Sequence, residues 1–125
     1  MRSDAFRAAA EAKDFSAVEE LFTENVVFRS PVVYKPYEGR DALRLILGTV
    51  VEVFADFRYV SQVEDGDTAV LVFQATAGGR ELDGVDILRF DAGGLITELT
   101  VMVRPMSGMH ALAEEMRARL EPAAG

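Results

Sequence analysis

The chain contains no cysteine, which excludes disulfides, thiolate metal sites and a cysteine nucleophile. Its only histidine is His110, so a metal centre built from several imidazoles is excluded too. Lysine is nearly as scarce. Two lysines and eleven arginines are scattered without a basic tract among 21 carboxylates. The formal charge of −8 argues against nucleic acid or an anionic membrane as partner, because phosphate contacts need clustered Lys and Arg. No apolar run approaches the roughly 18 residues of a membrane helix, and Met1-Arg-Ser-Asp does not open a signal peptide. A soluble, cytoplasmic protein working without metal or cofactor is the expectation.

Half of the 125 residues are apolar, enough for one domain over 1–125 with a real core. Ser3 is placed to cap a first helix running to Lys13, with Phe6 and the alanines on one stripe. Asp14 is placed to cap a second, carrying Phe15, Val18, Leu21 and Phe22. Val26–Ser30 reads as a strand ended by Pro31, which cannot donate to a sheet ladder. Residues 31–38, with two prolines and two tyrosines, read as loop. The spacing of Leu43, Ile46, Leu47, Val50, Val51 and Phe54 predicts a helix opened by Gly39-Arg40-Asp41. Four strands follow, over 57–63, 68–77, 81–90 and 95–104, divided by Asp65-Gly66, Gly78-Gly79 and Gly93-Gly94. Pro105 stops the last, and Ser107 opens a final helix with Met109, Leu112, Ala113, Met116 and Leu120 on one stripe. Helices grouped before a meander make the fold α+β, a curved and mostly antiparallel sheet wrapped around the N-terminal helices. The gap between helices and sheet is a natural pocket.

One strand carries a residue out of place. In Gly84–Asp91, alternation puts Gly84, Asp86, Leu88 and Phe90 on one face. A carboxyl among apolar neighbours is costly when ionised and keeps its proton or finds a partner. With a four-residue loop at 91–94, Phe90 faces Leu95, Leu88 faces Thr97, Asp86 faces Leu99 and Gly84 faces Val101. The Asp86 face then also carries Leu95, Thr97, Leu99, Val101 and Val103. The opposite face, with Val85, Ile87, Arg89, Ile96, Glu98, Thr100, Met102 and Arg104, suits a subunit interface. There Arg89 and Glu98 are diagonal neighbours.

Two readings of Asp86 follow. It is either a neutral acid donating to a ligand oxygen, or a buried acid satisfied by backbone or a tyrosine hydroxyl. Ser30 either hydrogen-bonds in the pocket or satisfies the strand end before Pro31. His110 lines a pocket mouth or sits on the surface of the last helix. A Ser30–His110–Asp86 triad has no support in the spacing. Tyr34 and Tyr37 gate the pocket or pack beneath it, and Met106, Met109 and Met116 fill core or interface.

Leu21-Phe22-Thr23-Glu24-Asn25-Val26, Arg29-Ser30-Pro31, Glu38-Gly39-Arg40-Asp41 and Val85-Asp86-Ile87-Leu88-Arg89-Phe90-Asp91 with Gly94-Leu95-Ile96 together resemble the nuclear-transport-factor-2-like superfamily. Within it they resemble the SnoaL-like and ketosteroid-isomerase-like branch, over about residues 2–120. The resemblance implies a cone-shaped α+β barrel with an apolar cavity, and a homodimer packed through the outer sheet face. It puts Asp86 where ketosteroid isomerase keeps a protonated aspartic acid in its oxyanion hole. That enzyme's general base falls at Ser30, its oxyanion tyrosine at Phe6, and its supporting tyrosines at Phe22 and Leu47. The arginine and second aspartate of the limonene-epoxide-hydrolase-like branch fall at Gly84 and Val101, and SnoaL-type cyclases also place an acid near Val101. Asp86 is the one retained member of these sets.

The expected site is Asp86 as the catalytic acid, with Phe6, Phe22, Ser30, Leu47, Phe54, Leu88, Leu99, Val101 and Val103 around the ligand. That ligand is a small, mostly apolar, oxygen-containing compound of polyketide, terpenoid or steroid type. Two functions stand: an isomerase, cyclase or hydrolase, and a non-catalytic binding or dimerisation module.

Overall fold

A computed structural model describes residues 1–124, with side chains through Leu120. The elements run α1 (Asp4–Glu11), α2 (Val18–Leu21), β1 (Phe22–Arg29), β2 (Tyr37–Glu38), α3 (Arg40–Val53), β3 (Ala55–Asp65), β4 (Thr68–Ala77), β5 (Arg80–Phe90), β6 (Ile96–Arg104) and α4 (Met106–Ala124). The architecture is α+β: a curved six-stranded sheet in the order β2-β1-β6-β5-β4-β3, antiparallel except for the parallel β1–β6 pair. Among the described residues, no helix is long and apolar enough to cross a membrane.

The meander follows the period-two rule closely. On β4 the side chains of Ala69, Leu71, Phe73, Ala75 and Ala77 are buried and those between them are half-buried. On β5 the buried set is Leu82, Gly84, Asp86, Leu88 and Phe90. These faces meet Phe6 and Ala10 of α1, Leu43 and Leu47 of α3, and Leu112 of α4 in one hydrophobic cluster.

Several boundaries differ from the sequence reading, each for a tertiary reason. Phe22, expected in the second helix, opens β1, because it pairs in parallel with Ile96. Tyr37–Glu38, expected as loop, pairs antiparallel with Val27 and Phe28. Asp14 caps no helix and instead accepts from the Ser16 N–H, a local Asx turn. Ser107 lies inside α4, which starts one residue earlier.

Ser3 does not cap α1 with its own side chain. Its N–H and Oγ donate to Glu64 of β3, at 2.8 and 2.5 Å, and the Arg2 N–H donates to the same carboxylate at 3.2 Å. A carboxylate from another element therefore does the work of an N-cap. Glu64 can face α1 because the β3–β4 register slips between Tyr59 and Ser61, a bulge that adds one residue to β3. Tyr59 and then Gln62 and Glu64 consequently face inward, whereas Val60 and Val63 are exposed.

The β5–β6 hairpin is also bulged. Asp91 closes the turn by accepting the Leu95 N–H at its Oδ1, and Phe90 faces Ile96 rather than Leu95. Thr97 is the extra residue, its hydroxyl donating to the Arg89 carbonyl at 3.3 Å. Leu95 and Thr97 therefore leave the Asp86 face and Ile96, buried, joins the core. Asp86 pairs with Val101 instead of Leu99, and Gly84 with Val103. The shift is an even number of residues, so Leu99, Val101 and Val103 stay on the Asp86 face as expected. Arg89 and Glu98 are direct partners, with Nε and Oε2 3.5 Å apart.

Gly84 has a packing reason to lack a side chain. A Cβ there would stand 2.1 Å from Cζ of Phe73, whose ring lies over the β5 backbone and is hemmed in by Phe54, Phe57 and Tyr59. We expect Gly84→Ala to destabilise the fold by about 1–3 kcal/mol through overpacking, and Phe73→Leu in the same chain to recover part of the loss. Urea denaturation measures both, and an unchanged midpoint for Gly84→Ala would contradict this packing.

Candidate functional site: an apolar cavity around Asp86

Between the inner sheet face and helices α1, α3 and α4 lies a cavity of about 450 Å³, within the range of roughly 300–1,000 Å³ usual for small-molecule sites. One wall is aromatic. Phe54 stacks on Phe57 with centroids 5.5 Å apart, Phe57 leans on Phe73 at 5.0 Å, and Tyr59 stands edge-on to Phe57 at 4.9 Å. Such pairs add about 0.5–1.5 kcal/mol each beyond area burial, so the wall is stiff. Ile46, Leu47 and Val50 of α3 and Leu112, Met116 and Leu120 of α4 complete the lining with Phe6, Phe15 and Phe28. The charged side chains bordering it are Asp86 and the exposed Lys13, Glu114 and Arg117.

Asp86 is 7% exposed. Leu71 and Val101 flank it on the neighbouring strands. The Tyr59 hydroxyl donates to its Oδ2 at 2.7 Å, reaching over β4 from β3. Among the described residues no other hydrogen bond reaches Asp86. Its Oδ1 nevertheless is not a sealed, unsatisfied atom, so it opens onto the cavity. Burial pushes the Asp86 carboxyl up to about 7, against a smaller lowering by the Tyr59 hydrogen bond. Burial, and then the adjacent Asp86, raise the Tyr59 phenol well above its ordinary value. Tyr59 thus stays protonated and its hydrogen is committed to Oδ2. When Asp86 is neutral its own proton belongs on Oδ1, where it can be given to an oxygen in the cavity.

Of the residues expected around a ligand, Phe6, Ser30, Leu47, Phe54, Leu99 and Val101 line this cavity with Asp86. Phe22, Leu88 and Val103 do not. Phe22 stands edge-on behind Phe6 and is fully buried. Leu88 is sealed between Ala69 and Leu99, and Val103 packs against the core beside Gly84. Ser30 Oγ accepts the Val32 and Val33 N–H groups, at 3.2 and 2.9 Å. It organises the turn after Pro31 and also borders the cavity. His110 is exposed on α4 and lies off the cavity. Tyr34 is fully exposed, while Tyr37 borders the cavity.

Tyr59 was not among the expected site residues. Its alternation with Phe57 marks an inward face, but its partner lies two strands away and one row along. No local pattern reports that distance.

The sign of the linkage gives a test. Below an ordinary aspartate pKa of 3.8, folded and unfolded chains are both protonated. Between there and about 7 the unfolded chain ionises while the folded one holds its proton, so stability falls as pH rises, by roughly 4 kcal/mol at most. Above that range the penalty is constant. Asp86→Asn removes the ionisation and keeps an acceptor for Tyr59. Relative to the parent, the variant should therefore gain stability from acid to mildly alkaline pH. Urea titrations at both ends check this, and parallel profiles would contradict a buried, raised acid.

Comparison with known proteins identifies the family and the fold. The family model for the SnoaL-like domain matches residues 4–99. A steroid delta-isomerase from Pseudomonas aeruginosa is 43% identical, with a TM-score of 0.93 over 98% of this chain and 91% of that one. A bacterial protein with a cystatin-like fold from Silicibacter pomeroyi DSS-3 is 33% identical, also with a TM-score of 0.93, over 98% of this chain and 87% of that one. No curated protein matches the sequence. On the family match and the shared architecture, the chain belongs to the SnoaL-like family.

Proposed function

We propose that the chain binds a small, neutral, largely apolar molecule bearing a carbonyl or similar oxygen, of steroid, terpenoid or polyketide type, and acts on it as an isomerase. The observation that carries this reading is the free Oδ1 of Asp86 in an otherwise apolar cavity, its other oxygen held by Tyr59. A protonated carboxyl there hydrogen-bonds the ligand oxygen and stabilises negative charge developing on it during double-bond migration, while the proton leaving the α carbon passes to a base and returns at the γ carbon, a role for which the cavity's other carboxylate is Glu114. The likeness to a protein named a steroid delta-isomerase supports the reaction class. Desolvation inside the apolar walls strengthens that single hydrogen bond.

A second reading, binding without turnover, rests on one specific observation. A proton abstraction needs a base, and the family's base position holds Ser30, whose hydroxyl is engaged with Val32 and Val33. The other carboxylate bordering the cavity is Glu114, exposed on α4.

A homodimer through the outer sheet face belongs to the same proposal. Val72, Val85 and Met102 form one cross-strand row there, beside Val70 and Ile87, and Met102 is 55% exposed. Salt bridges Asp83–Arg104 and Arg89–Glu98 border the row, an apolar centre with a charged rim. Val85→Arg should give a monomer by light scattering, and an unchanged mass would count against this interface.

For the site, a steroid-sized β,γ-unsaturated ketone is the probe, with formation of the conjugated enone followed by its ultraviolet absorbance. As an enzyme, the parent should turn it over and Asp86→Asn should lose about 10²–10⁴-fold while still binding, because an amide can donate. Asp86→Leu should lose about tenfold in affinity as well. Binding without turnover by the parent would favour the second reading. Affinity unaffected by Asp86→Leu would overturn the site.

A further inference from the structure

We propose that Arg7 is a positioning residue for the Tyr59–Asp86 pair: its guanidinium, held over the Tyr59 ring, fixes the phenol and strengthens it as a donor to Asp86. The inference rests on Asp86 being the acid that meets the ligand.

The guanidinium carbon of Arg7 lies 5.6 Å from the Tyr59 ring centroid, a cation–π separation. A cation over the ring favours electron density leaving the hydroxyl, and so a stronger O–H donor. The placement is enforced from both sides. Nη1 of Arg7 donates to Oε1 of Gln62 at 2.8 Å, and Nε to Glu11 at 3.3 Å. Gln62 is itself oriented, its Nε2 donating to Ser3 Oγ at 2.7 Å and to Asp4 at 2.9 Å, while Ser3 is held by Glu64. The β3 bulge that turns Gln62 and Glu64 inward therefore also fixes the cation above Tyr59. The charged groups around the phenol are Arg7 and Glu11 from α1 and Asp86 from β5. Arg7 lowers the Tyr59 pKa, whereas Glu11 and Asp86 raise it.

The test needs no ligand, so it stands or falls independently of the proposed reaction. In protein labelled with ¹³C at aspartate carboxyls, the Asp86 signal, assigned through Asp86→Asn, is titrated across neutral pH. Arg7→Met should weaken the Tyr59 donor and move the Asp86 midpoint upward by roughly half a pH unit. Glu11→Gln, on a solvent-facing position, should move it downward because it leaves Arg7 uncompensated. Arg7→Lys should return it most of the way to the parent value. A purely structural role predicts none of this sign pattern, and direct charge on Asp86 would preserve the Arg7→Met shift in a Tyr59→Phe background, where the route through the phenol predicts that it is lost. An unmoved midpoint in Arg7→Met, shifts of the same sign in Arg7→Met and Glu11→Gln, or failure of Arg7→Lys to restore the midpoint would overturn the proposal. If Arg7→Met does not fold, the sign of the Glu11→Gln shift decides.

Discussion

The hydrogen bond from Tyr59 to Asp86 is the constraint on which the rest of this structure turns. A carboxyl inside an apolar cavity is tolerable in two ways, by keeping its proton or by finding a donor, and here both act together. Tyr59 takes one oxygen and burial retains the proton on the other. The arrangement needs Tyr59 to reach over β4, which requires an inward position on β3. It also needs the Phe73 ring beside Tyr59, for whose tip Gly84 leaves room by lacking a Cβ. Those demands set the shape of the cavity wall.

Helix α1 is tied to the same place. Its first turn is satisfied by Glu64 and its Arg7 by Gln62, both on the stretch of β3 that follows the bulge. Phe6, on that helix, lines the cavity opposite the sheet. The bulge after Tyr59 therefore positions the residues that hold both the helix covering the tyrosine and the cation above it. Bulges commonly re-aim side chains beside functional sites, and this one does so for Gln62 and Glu64.

The layers, the meander and the α+β class are legible in the sequence because alternation on β4 and β5 and the three-and-four spacing on α3 report burial directly. Asp86 is legible for the same reason, as one carboxyl breaking an apolar face. What is hidden depends on contacts distant in sequence. Phe22 looks helical until Ile96 is beside it. The bulge after Tyr59, which brings Glu64 to the start of α1, has no local signal. Thr97 looks like a ladder residue until its hydroxyl finds the Arg89 carbonyl. Tyr59 escaped notice because its importance lies wholly in a partner two strands away. Ser30 was open to two readings, and it both organises the turn after Pro31 and borders the cavity.

Among the described residues the cavity has one buried acid, a tyrosine committed to it and largely apolar walls, and the proposed ligand is read from that chemistry. Its central claim is that the unliganded protein holds a proton on Asp86 up to neutral pH. The most direct measurement is the ¹³C titration of the Asp86 carboxyl in the otherwise unaltered protein. A midpoint near 7 is predicted. A midpoint near the ordinary aspartate value of 3.8 would mean that the carboxylate is solvated or otherwise paired, and would contradict the account.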